Sequence, residues 1–228
     1  MNQTFKILAV FFVIGVSILA YVQFQSVKTA TPLPNKTATI DTMKDVTIIS
    51  FGDSLTAGYN LPAQESYPAL LEERLTAKGY SVKVVNSGVS GETSRGNLER
   101  AQFIRSQNPT IVLLGTGGND ALRSLPVTET KSNIEKTIRI LQSGESPPKV
   151  ILLAMQSPLN SGVAYKQSFD AIYGSVADAF DIPLVPFITE EIFLDEANLL
   201  PDGIHLNKGG YGKVVDQHIL PAVTDILN

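Results

Sequence analysis

The chain is 228 residues long, 43% hydrophobic and 18% charged, which suits one sizeable folded α/β domain plus an extra segment. A net charge of -4 leaves no basic excess to neutralise phosphates, which argues against a nucleic-acid partner. With no cysteine and only His205 and His218, disulfides, thiolate metal sites and a cysteine nucleophile are excluded, and a multi-histidine metal site is implausible.

Residues 1–27 do not read as part of a fold. Lys6 precedes an apolar run from Ile7 to Val22, and the next charge is Lys28. The run is long for a signal-peptide core and short for a comfortable bilayer span, and no usual small-x-small cleavage site follows it. An uncleaved signal anchor is expected, with a removed signal peptide as the alternative; either way the rest of the chain is exported, periplasmic or membrane-anchored. Residues 28–43 are rich in threonine and proline with no sustained hydrophobic period, and read as a linker. The domain is expected to occupy residues 44–228.

Strands and helices then alternate. Val46 to Phe51 is apolar and β-branched, a strand covered on both faces, closed by Gly52. A turn-rich loop, Ala57 to Pro62, leads to a helix carrying Tyr67, Leu70, Leu71 and Leu75, with Ser66 as cap and Gly79 as stop. Val82, Val84 and Val85 form a second strand, ending at Asn86-Ser87-Gly88. A helix from Ser94 to Gln107 is closed by Asn108-Pro109. Thr110 to Leu114 is a continuous apolar run, the mark of a central parallel strand, and it ends in Gly115-Thr116-Gly117-Gly118-Asn119-Asp120. An amphipathic helix from Thr128 to Leu141, a strand Val150 to Ala154, a helix Val163 to Phe180 and a strand Pro183 to Pro186 follow. A last helix spans Lys208 to Ile226, bent at Pro221.

Five strands alternating with helices imply a doubly wound parallel sheet, and right-handed crossovers favour the order 2-1-3-4-5. The chain then reverses direction between strands 1 and 3, which puts Ser54 at the switch point where ligands collect.

Taken alone, Ser54 is either a nucleophile or a helix N-cap. Its surroundings favour the first. Gly88 to Ser94, Gly117 to Asp120 and the Asp202-Gly203-Ile204-His205 segment also follow strand ends, the first two on spatial neighbours of strand 1. Serine needs an adjacent base, and His205 is the only loop histidine of the domain. Asp202, three residues earlier, can orient the ring and stabilise the imidazolium. The Ser54 and Gly91 backbone N–H groups and the Asn119 side chain are candidate donors to a developing oxyanion. Each part also has a plainer reading: a turn glycine at Gly91, a cap at Asn119-Asp120, a turn at Asp202-Gly203. His218 reads as structural. The glycine cluster is not a dinucleotide fingerprint, because Asp120 stands three after Gly117, and no Walker A sequence occurs, so no cofactor is expected.

Gly52-Asp53-Ser54-Leu55, Gly91, Gly117-Gly118-Asn119-Asp120 and Asp202-Gly203-Ile204-His205 resemble, in order and spacing, the four blocks of the SGNH, or GDSL-type, hydrolases. Gly91-Glu92-Thr93-Ser94 and Pro183-Leu184-Val185-Pro186-Phe187 add to the likeness, which is nearest to the bacterial multifunctional thioesterase I/lysophospholipase L1/arylesterase branch and covers about residues 46–226. The resemblance implies a flavodoxin-like three-layer α/β/α sandwich and hydrolysis of esters or thioesters through an acyl-enzyme on Ser54. It makes His205 the base, Asp202 its partner, and Gly91 and Asn119 oxyanion-hole residues. One departure is Leu206, where relatives often carry a proline that would stiffen the catalytic loop. The substrates expected are acyl esters, lysophospholipids or aryl esters. A carbohydrate O-acetyl esterase and a non-catalytic binding module are the alternatives. Tyr165, Lys166 and the loop Leu159 to Gly162 are candidates to line the acyl site.

Overall fold

The computed structural model of the protein describes residues 46–158 and 160–228. The N-terminal segment 1–27 and the linker 28–43, together with Leu159, lie outside the described residues. Among the described residues no helix is long and apolar enough to cross a membrane.

The three strongest apolar runs form the middle of the sheet. Strands β1 (Val46–Gly52), β3 (Ile111–Gly115) and β4 (Lys149–Ala154) bury nearly every side chain, including Ile48, Phe51, Leu113 and Leu152. The edge strands are more open: β2 (Val82–Gly88) has only half-buried and exposed positions, and β5 (Leu184–Pro186) buries Val185 between two exposed neighbours. All pairings are parallel and the order is β2-β1-β3-β4-β5, the expected doubly wound arrangement. The reversal falls between β1 and β3, beside Ser54.

Helices cover the sheet in two layers. One holds α2 (Tyr67–Ala77) with the C-terminal helices α8 (Lys208–Val214) and α9 (Leu220–Leu227). The other holds α3 (Ser94–Ser106), α5 (Val127–Leu141) and α6 (Val163–Phe180), packed in that sequence. Three short helices complete the set: α1 (Ser54–Ala57), α4 (Gly118–Leu122) and α7 (Glu190–Leu194). Neither α1 nor α7 is visible in hydrophobic periodicity, since one turn is too short to show a repeat.

Two local expectations change. Ser66 occupies the N-cap position of α2, but its Oγ donates to the Ala63 carbonyl (2.8 Å) and does not cap the helix. Pro68, in the first turn, lacks one of the N–H groups a cap would satisfy. The C-terminal helix adjusts ahead of Pro221, not at it. A π-turn at Val215–Ile219, closed by the Leu220 N–H on the Val215 carbonyl, lies immediately ahead of the proline.

The site side of the sheet depends on three aligned glycines. Gly52 pairs with Gly88 on one side and Gly115 on the other, so β2, β1 and β3 end in a row without side chains. A Cβ on Gly52 would lie 2.3 Å from both the Gly115 carbonyl oxygen and Thr56 Oγ1, and one on Gly88 would lie 2.2 Å from the Ala57 nitrogen. The gap lets α1 sit directly on the strand ends, with Ser54 in its first turn.

Candidate active site

Asp53, not Ser54, is the N-cap of α1. Its carboxylate accepts from the Leu55 N–H (3.0 Å) and its carbonyl from the Ala57 N–H (2.9 Å). The far end closes through Gly58, in the left-handed region at φ +74, and both the Gly58 and Tyr59 N–H groups bond the Ser54 carbonyl at 3.1 Å. With the cap position filled by its neighbour, the Ser54 hydroxyl is free to point elsewhere. It lies 2.9 Å from His205 Nε2.

The ring is held from behind. His205 Nδ1 is 2.8 Å from Asp202 Oδ2, while Asp202 Oδ1 accepts from the Ile204 and His205 N–H groups, each at 3.0 Å. Desolvation pushes the Asp202 carboxyl up, but those two N–H bonds and the imidazole outweigh it and hold its pKa at about 2. An ionised carboxylate only accepts, so Nδ1 carries the proton and Nε2 presents its lone pair to the Ser54 O–H.

The histidine loop is rigid without a proline at 206. Leu206 is buried and forms an isolated antiparallel bridge with Leu199, flanked by Leu200 N–H to His205 carbonyl (2.7 Å) and Asn207 N–H to Asn198 carbonyl (2.8 Å). Asn207 also caps α8 through the Gly210 N–H (3.0 Å) and donates to the Ala197 carbonyl (2.8 Å). Tyr59 packs on the imidazole, ring centroids 4.6 Å apart.

Across from the histidine lies the donor rim. Gly91 has φ +81, and its carbonyl accepts from Arg123 (2.9 Å); among the described residues its N–H has no partner, nor has the Ser54 N–H. Asn119 sits inside α4 and is no cap. Its Nδ2 donates to the Glu92 carbonyl (3.1 Å) and, at a long 3.4 Å, to Asp53 Oδ2. One amide hydrogen anchors the side chain and the other is only weakly engaged.

Residues behind the donors support this rim, among them Asn97, Arg100 and Thr130, which the sequence did not single out. The Glu92 carboxylate is ion-paired with Arg100 and accepts from Asn97 (2.6 Å), and Arg100 also donates to the Ser87 carbonyl (3.1 Å) and lies over the Phe51 ring. Asp120 is buried and tied to the Ser94 N–H (2.8 Å), the Ser94 hydroxyl (2.6 Å) and the Thr130 hydroxyl (3.1 Å). Asp53 is buried too, and burial pushes its pKa up to about 6 against the lowering effect of the Leu55 N–H, His205 and Asn119.

Beside Ser54 opens an apolar cleft of about 460 Å³, lined by Leu55, Leu122, Met155, Ile188, Phe193 and Ile204 among others. Leu122, Leu194 and Ile204 stand exposed at its walls. Asn160 from the predicted loop and Pro158 just before that loop line it, but Tyr165 and Lys166 do not. Tyr165 donates to the Leu125 carbonyl (3.0 Å), and Lys166 pairs with Asp170 (2.8 Å), which accepts from the Ser157 N–H of the cleft wall (2.9 Å). Helix α7, unseen in the sequence, supplies Phe193 and Leu194. Among the described residues no group of three or more His, Asp and Glu side chains could hold a metal ion.

The sequence matches the model of the GDSL-like Lipase/Acylhydrolase family over residues 50–213. The chain belongs to this family. It is a carboxylic ester hydrolase. Thioesterase 1/protease 1/lysophospholipase L1 of Escherichia coli (strain K12) is 35% identical over 171 residues, covering 75% of this chain and 80% of its own length. An arylesterase of Vibrio mimicus is 33% identical over 159 residues, covering 69% of this chain and 78% of its own length. Among solved structures, the psychrotrophic esterase EstA from Pseudoalteromonas sp. superposes on this hydrolase with a TM-score of 0.74 at 28% identity, covering 80% of this chain and 98% of that one.

Proposed function

We propose that this hydrolase is a serine esterase and thioesterase that cleaves apolar acyl esters through an acyl-enzyme on Ser54. Lysophospholipids, aryl esters and acyl thioesters are the substrate classes. The observation that carries the reading is the hydrogen-bonded chain Ser54–His205–Asp202 beside an apolar cleft. The names of the Escherichia coli and Vibrio mimicus relatives support the same substrate range.

The Ser54 Oγ attacks the acyl carbon while His205 Nε2 takes its proton, and ionised Asp202 stabilises the imidazolium. The Ser54 and Gly91 N–H groups and the Asn119 amide receive the oxyanion. On collapse the bond to the alcohol or thiol breaks, and the His205 proton goes to the departing atom. Water, deprotonated by the same imidazole, then releases the acid and restores Ser54.

The test compares p-nitrophenyl octanoate with p-nitrophenyl acetate, alongside labelling by a fluorophosphonate. Faster octanoate turnover and labelling lost in Ser54→Ala are expected. A strong acetyl preference would favour a carbohydrate O-acetyl esterase, and an unlabelled protein would favour a binding module. We further assign residues 44–228 to the hydrolase domain and the Ile7–Val22 run to a signal anchor that keeps it outside the cytoplasm, supported by the length of that run and the preceding Lys6. Release of all activity from membranes by carbonate extraction would refute the anchor.

A further inference from the structure

The imidazole of His205 has a neighbour that the hydrolytic chain does not use. Tyr59 lies with its ring centroid 4.6 Å from that of His205 at an interplanar angle of 38°, yet the residue is 41% exposed. The surrounding chain fixes its position. The Tyr59 N–H bonds the Ser54 carbonyl (3.1 Å), so the ring is carried by the same one-turn helix as the serine. The loop beyond it is locked, with Gly58 and Asn60 both in the left-handed region (φ +74 and +59) and the Leu61 N–H bonded to the Gly58 carbonyl (3.0 Å). A Cβ on Gly58 would meet Ser66 Cβ at 2.6 Å, so the turn packs against Ser66 where a side chain would not fit.

The chemistry places the two halves of an ester in different surroundings. The apolar cleft reaches Leu55, Gly118, Leu122 and Ile204 but does not include Tyr59. An acyl chain in that cleft leaves the alcohol half outside it. The departing oxygen must lie within hydrogen-bond reach of His205 Nε2, which donates the proton as the carbon–oxygen bond breaks. Whatever is attached to that oxygen emerges beside the imidazole, where the open face of Tyr59 stands.

We propose that Tyr59 is the leaving-group platform, a specificity-determining residue that favours flat, aromatic alcohol groups by stacking. The inference rests on the serine-esterase reading and adds to it the alcohol side of the substrate. Ring stacking of this kind favours an aromatic over a saturated partner by roughly three- to tenfold.

The experiment measures kcat/KM of the full-length protein on phenyl butyrate and cyclohexyl butyrate, which share an acyl group and a ring size. The phenyl-to-cyclohexyl ratio is expected to fall roughly three- to tenfold in Tyr59→Leu and to stay within about twofold in Tyr59→Phe, which keeps the ring. Phenol and cyclohexanol differ in their need for the His205 proton, so the same ratio is measured for benzyl and cyclohexylmethyl butyrates, whose alcohols have similar acidities; a fall confined to the phenyl pair reflects the imidazole and overturns the platform. An unchanged ratio in Tyr59→Leu, even with both rates lowered, overturns the proposal and leaves the esterase reading intact. Hydrolysis retained in Ser54→Ala would overturn the esterase reading and this inference with it. A comparison on the unaltered protein does not depend on how the variants fold: phenol should inhibit more strongly than cyclohexanol, and equal inhibition counts against the platform.

Discussion

Asp53 Oδ2 lies 3.4 Å from Asn119 Nδ2, joining the cap of the helix that carries Ser54 to the side chain proposed to receive the oxyanion. The two residues come from strand ends on either side of the sheet's reversal, and both are held under the rim. Burial raises the Asp53 pKa from 3.8 to about 6. Between those values the folded protein keeps a proton that the unfolded chain has lost, so stability falls as pH rises from 3.8 to about 6. The rise of about two units corresponds to roughly 3 kcal/mol at full ionisation. Asp53→Asn should therefore gain stability relative to the parent as pH climbs from 4 to 7, measured by chemical denaturation. Parallel curves would show that the buried carboxyl carries no such cost. Asp53→Ala should lose about 1 kcal/mol at pH 4 through the missing cap, and lose activity as well.

Asn119→Ala should lower kcat by roughly 10²–10³, the usual loss for one oxyanion donor, with little change in KM. A raised KM with unchanged kcat would mean that Asn119 holds the substrate equally in ground and transition states. The Glu92 carbonyl anchors the amide at 3.1 Å, so the variant also tests whether a donor with one hydrogen already engaged can serve.

His205→Ala should abolish turnover to within roughly 10⁶-fold of the parent rate, and Asp202→Asn should cost less, about 10⁴-fold. Under the proposed roles Asp202 acts only through the ring, hence the difference. The low pKa of Asp202, about 2, keeps it ionised across the working range, so activity should not fall through its protonation above pH 4. A pH profile of kcat/KM checks this, and the reverse ranking of the two variants would overturn their roles.

Gly52→Ala places a Cβ 2.3 Å from the Gly115 carbonyl oxygen and Thr56 Oγ1. Backbone and the half-buried one-turn helix must shift to admit it, at a cost of roughly 1–3 kcal/mol or more. The thermal midpoint should fall, and activity should fall further than stability, because the shifted helix carries Ser54. Activity retained in a destabilised variant would show that the serine does not depend on the glycine gap.

Strand positions, their order and the residues now joined at the site were legible in the sequence. A continuous apolar run bounded by turn signals, such as Ile111 to Leu114, reads as a strand buried on both faces, and right-handed crossovers then leave few orders. The Ser54, His205 and Asp202 chain followed from chemical type, since a chain with no cysteine and one loop histidine offers few alternatives. What the residues alone left undecided was decided by tertiary contact. Ser54 could read as a cap until Asp53 was seen to fill that place. The α7 wall of the cleft, the ring of Tyr59 beside the imidazole and the raised pKa of Asp53 depend on groups distant in sequence. Periodicity and composition report which faces are buried; they carry no information on which buried atoms meet, and that meeting sets the site's geometry and charge.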